Sequence, residues 1–158
     1  MSLKERFTPA EWADLSSAPF AAAMYVATAD GGRGEYVREM VTMTRAVGPS
    51  LKGAGELARA LFAELGGRAG RRLGTGDQAV AYDDRPAMLA VVARAGAALA
   101  RAGGAEAAPY ASWVIGLARR AARASSSGGL LGVGGRPVSA AEEVALRELK
   151  TALGAGSP

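Results

Sequence analysis

The 158-residue chain predicts an all-α fold, a compact bundle of six or seven helices in one domain. Three observations carry this expectation. Apolar residues recur at i, i+3, i+4 and i+7 through most of the chain, the spacing that gives a helix one buried face. No run of β-branched residues alternates with polar ones, as a half-buried strand would. The ends of the apolar stripes also coincide with helix start and stop signals, including two capping boxes and several Gly or Pro breaks.

In chain order, Thr8-Pro9-Ala10-Glu11 is the first capping box, and it predicts a short helix to about Ser17 anchored by Trp12 and Leu15. Ala18-Pro19 then reads as the start of a second helix, Phe20 to Ala29, apolar on all sides and therefore central. After a turn at Asp30-Gly31-Gly32-Arg33-Gly34, a third helix starts near Glu35, with Tyr36, Val37, Met40, Met43, Thr44 and Val47 on its inner face. Gly48-Pro49 stops it, and Ser50 is placed to cap a fourth helix with the stripe Leu51, Ala54, Ala58, Leu61, Phe62 and Leu65. The glycine- and arginine-rich stretch 66–76 reads as a flexible loop, and 77–83 as a short helical turn. Asp84 caps a fifth helix whose stripe is Met88, Val91, Val92, Ala95, Leu99 and Ala102, ended by Gly103-Gly104. Pro109 opens a sixth, with Tyr110, Trp113, Val114, Leu117 and Ala121 inward and Arg119, Arg120 and Arg123 outward.

The rest of the chain reads around 125–154. Glycine fills five of the eight positions from Gly128 to Gly135, and Leu130, Leu131 and Val133 fill the other three. Apolar residues there suit a tight loop folded onto its own core more than a solvated linker; presentation to a partner or membrane is the alternative. A phosphate cradle would need GxxxxGK[ST] or GxGxxG between a strand and a helix, and neither spacing nor context is met. Ser139 and Glu142 form the second capping box, and Ala145, Leu146, Leu149, Ala152 and Leu153 form a stripe closed by Gly154. Residues 155–158 read as a disordered tail.

Composition narrows the chemistry. The chain has no cysteine, which excludes disulfides and thiolate chemistry, and no histidine, which removes the Ser-His-Asp triad, the usual zinc sites and the commonest general base. Tyr25, Tyr36, Tyr82 and Tyr110 with Lys52 or Lys150 are the acid–base groups left besides carboxylates, and at helical stripes and ends such residues normally pack or solvate. No catalytic residue and no cofactor are therefore expected. The start is charged and polar, unlike a secretory signal, and the apolar run 19–29 is too short to span a bilayer, so a cytoplasmic location is expected. The net charge of +4 is uneven: residues 85–136 carry seven arginines against Glu106 alone, while the flanking parts are each near neutral. That basic middle suits an acidic partner.

Residues 18–48 and 112–154 share a plan: an apolar helix, a turn of small residues, then a Glu-bearing helix ending in Val-Gly or Leu-Gly. Two such helix-turn-helix units would pack pseudo-symmetrically. Through Ala29-Asp30-Gly31 with Glu35 or Glu39, and Val138-Ser139-Ala140-Ala141-Glu142 to Leu153-Gly154, the chain resembles the TerB family of small helical bacterial proteins associated with tellurite resistance and stress. The resemblance implies a helical bundle and an acidic metal site. Read from the residues, Asp30, Glu35, Glu39, Glu142 and Glu143 are the acids able to converge on a hard cation, which needs six or more oxygens. Each also has a local role as turn former, first-turn acid or cap, and no metal ligand is assigned. The functional expectation is a non-enzymatic helical module acting through protein contacts or self-association. The alternatives are a divalent-metal binder and a nucleic-acid binder using the outward arginines Arg119, Arg120 and Arg123.

Overall fold

The computed structural model describes residues 1–31, 47–68, 84–125 and 138–155. Among them are a 3-10 turn at Lys4–Arg6, five α-helices and no strand. The helices are α1 (Pro9–Ala27), α2 (Gly55–Arg68), α3 (Arg85–Ala102), α4 (Ala107–Ser125) and α5 (Ala140–Ala152). The fold is the expected all-α bundle. No described helix is long and apolar enough to cross a membrane.

The Thr8 capping box forms as its spacing requires. The Glu11 N–H donates to Thr8 Oγ1 at 3.2 Å, and the Thr8 N–H donates to the Glu11 carboxylate at 2.7 Å. The expected break at Ala18-Pro19 does not occur; α1 continues through it, with Pro19 inside the helix. Proline has no N–H to give the carbonyl four residues back, which normally breaks a helix. Here the buried Tyr110 hydroxyl, from α4, donates to that Leu15 carbonyl at 2.6 Å. The acceptor orphaned by Pro19 is thus satisfied from another helix.

Every side chain from Ala18 to Val26 is buried, so this half of α1 is the centre of the molecule, as its all-round apolar sequence predicts. It packs chiefly against α3 and α4. The smaller α5 lies against α1, α3 and α4, and α2 against α1 and α4. Leu15, Met24 and Val26 are completely buried, each contributing roughly 1.5–3 kcal/mol of transfer free energy. The expected stripes hold on α3, where Met88, Val91, Val92, Ala95 and Leu99 are buried, and on α5, where Ala145, Leu146, Leu149 and Leu153 are; Ala102 and Ala152, at the helix ends, are only half-buried. On α4 the buried surface is wider than the single stripe and takes in Ala111, Ile115, Ala118 and Ala122.

Three ties set α1 antiparallel to α3. Arg101 clamps the Glu11 carboxylate with two bonds of 2.6 Å, Arg94 clamps Asp14 at 2.9 and 3.0 Å, and Arg85 lies over the Tyr25 ring 4.0 Å from its centroid. Exposed ion pairs contribute little stability of their own. They fix the register of two helices that core burial already holds together. The backbone of α3 and the end of α5 also approach closely: a Cβ on Gly96 would sit 2.1 Å from the Ala152 carbonyl oxygen.

The third helix's expected body, the Gly128–Gly135 loop and most of the second matched turn lie outside the described residues, and the comparison of the two matched units lies partly outside with them. Gly66 and Gly67 belong to α2, which runs to Arg68; the remainder of the expected 66–76 loop and the 77–83 turn lie outside.

Candidate functional site

The segment joining 47–50 to α2 is where the structure departs most from the local signals. Gly48-Pro49 does not end the helical turn, which continues through Ser50, and α2 begins at Gly55 instead of Leu51. Gly53 and Gly55 have φ of +92° and +84°, a region that favours glycine and breaks the helix between them. Ser50 is consequently not a helix cap. Its hydroxyl donates to the Val47 carbonyl at 2.7 Å and accepts from the Trp113 indole N–H at 2.8 Å. The cap of α2 comes from far along the chain, where the Glu106 carboxylate accepts from the Leu57 N–H at 2.9 Å. The lone acid of residues 85–136 is engaged there.

Between this segment and α4 lies a cavity of about 240 Å³. Its polar lining is Lys52, Arg120, Ser112 and Ser50, and its apolar wall includes Pro109, Trp113 and Leu117. Among the described residues no carboxylate lines it. Lys52 and Arg120 are both exposed, and neither forms an ion pair among the described residues. The Trp113 ring is held on one side by its bond to Ser50 and on the other by Tyr110, with ring centroids 5.9 Å apart. The wall is therefore fixed while the two cations project from its rim.

Gly116 also lines the cavity, and it is the informative residue. Glycine inside a helix costs about 1 kcal/mol relative to alanine. Crowding explains that cost at Gly96, but a Cβ on Gly116 would meet nothing within 4 Å. The missing side chain serves no close helix contact; it leaves the groove open.

The sequence-predicted candidates fall in different places. Asp30 is exposed in the turn after α1, while Glu35 and Glu39 lie outside the described residues. Glu142 is buried, and its carboxylate accepts from the Ser139 N–H at 2.8 Å, completing the second capping box; Glu143 is exposed on α5. Among the described residues no three acids stand close enough to hold a metal ion. Arg119 and Arg123 are exposed on α4 as expected, and Arg120 faces the groove. Tyr36 and Tyr82 lie outside the described residues, and Lys150 is half-buried on α5.

The two described tyrosines are structural ties. Tyr25 donates to the Glu148 carboxylate at 2.5 Å, and burial followed by that carboxylate pushes its phenol up; complete burial pushes Tyr110 well above the ordinary range. Lys52, weighed as an acid–base group from the sequence, stands instead beside Arg120 as one of two cations on a groove. Sequence reasoning did not join them. The available signal was Gly116, an interior helix glycine between an aromatic and an arginine.

No family model matches the chain, and no significantly similar curated protein or solved structure was found.

Proposed function

We propose that the chain is a non-enzymatic, cytoplasmic interaction module that binds an acidic stretch of a partner protein in the groove between residues 50–54 and α4. The carrying observation is the juxtaposition in one cavity of Lys52 and Arg120, with no carboxylate among the described lining residues, against an apolar wall. Cations with no ion-pair partner among the described residues attract an acidic segment over several ångströms, and half-buried Pro109, with the small exposed part of Trp113, offers a limited apolar contact once it docks. The absence of histidine and cysteine, and the use of Tyr25 and Tyr110 as ties between helices, support a binding role over a catalytic one. The implied mechanism is docking without covalent chemistry.

Fluorescence anisotropy with a labelled peptide of alternating Glu and Leu tests this, with the matching Lys-Leu peptide as control. The Glu-Leu peptide is expected to bind saturably, weaken as salt rises, and lose at least tenfold in affinity on the double substitution Lys52→Glu, Arg120→Glu. Equal binding of both peptides, or binding untouched by the double substitution, overturns the reading.

A further inference from the structure

Resting on that reading, we infer that the groove is keyed to a phosphorylated side chain of the partner, with Lys52, Arg120 and Ser112 holding the phosphoryl oxygens and Pro109 meeting the carbon part. The donors exceed what a carboxylate needs. An ammonium offers three N–H groups, a guanidinium five in a planar fork, and a serine one O–H. A carboxylate brings one charge on two oxygens, whereas a phosphoryl ester brings about −1.5 to −2 on three. Two unopposed cations match that charge, and the arginine fork can take two phosphoryl oxygens at once.

Size points the same way. At about 240 Å³ the cavity falls below the range of roughly 300–1,000 Å³ usual for pockets that enclose whole small ligands. It suits one side-chain-sized group. Ser50 is not a phosphoryl donor, because its proton is given to the Val47 carbonyl; it orients the indole. A nucleic-acid backbone is the less suitable occupant. Such binders combine a phosphate track with exposed rings for base stacking, and no aromatic side chain among the described residues is exposed. Gly116 lines the groove without filling it, since a side chain there would project into open space.

The test uses the whole chain and three peptides, identical and neutral except for a central Ser, Glu or phosphoserine, titrated calorimetrically. The phosphopeptide is expected to bind at least tenfold more tightly than the Glu peptide. Its affinity should rise between pH 5 and 7 as the second phosphoryl proton, with a pKa of about 6, is lost. Lys52→Gln and Arg120→Gln, both surface changes, should each weaken it at least tenfold with melting unchanged, and Gly116→Leu should abolish it. Glu and phosphoserine peptides binding alike would overturn the phosphoryl inference and leave the acidic-segment reading standing; no binding of either, together with no binding of the Glu-Leu peptide, would overturn both. Inorganic phosphate binding as tightly as the phosphopeptide would reassign the groove to free phosphate. A single-stranded oligonucleotide binding more tightly than the phosphopeptide would reassign it to nucleic acid.

Discussion

Gly96 and Gly116 look alike in the sequence, each a glycine inside an amphipathic helix, yet their surroundings are opposite. A methyl at Gly96 would be driven to 2.1 Å from the Ala152 carbonyl oxygen, while one at Gly116 would meet nothing. Gly96→Ala should therefore destabilise by about 1–3 kcal/mol through overpacking. Gly116→Ala should stabilise by up to about 1 kcal/mol through helix propensity. Urea denaturation of the two variants checks both signs. Pro19 and Tyr110 make a second residue-level pair. Tyr110→Phe leaves the buried Leu15 carbonyl without a donor, at a cost of about 1–3 kcal/mol. Pro19→Ala returns a backbone N–H to that carbonyl, so the tyrosine change should cost less when combined with Pro19→Ala. A double-mutant cycle reads that coupling. Neither pairing was legible in the sequence, because a proline within a helical pattern signals a boundary unless a remote hydroxyl compensates it.

Among the elements, α3 and α5 were readable almost to the residue because their start signals are local: Asp84 and Ser139 each accept from an N–H three residues on. The start of α2 was not, since its cap is Glu106 and the glycines before it hold positive φ. The pairing of α1 with α3 makes a pH prediction. The Arg101 guanidinium, with the Thr8 N–H, lowers the Glu11 carboxyl from 4.5 to about 2. Lys4 and the Trp12 indole lower Glu64 in the same direction. A carboxylate depressed on folding contributes stability that is fully present above its unfolded pKa and lost as pH falls through the folded value. Glu11→Gln should thus be less stable than the parent at neutral pH, and the gap should narrow between pH 4.5 and about 2. Thermal melts across that range follow it; a gap that stayed constant to pH 2 would remove the Arg101 clamp as its cause.

At the scale of the whole molecule, the all-α class, the buried second half of α1 and the outward arginines of α4 were all legible, because periodicity reports burial directly. The groove was not. It arises where a turn with two positive-φ glycines meets the middle of α4, two segments far apart in the chain, and no local pattern encodes that meeting. Lys52 and Arg120 were each visible alone, one as a possible acid–base group and one as a solvated charge. Only their shared cavity makes them a candidate site. A nitrogen-15 correlation titration with the Glu-Leu peptide tests that site most directly. Binding should shift the signals of Lys52, Gly53, Ser112, Gly116 and the Trp113 indole, leaving α5 unmoved. Shifts centred on α5, or none at saturating peptide, would contradict it.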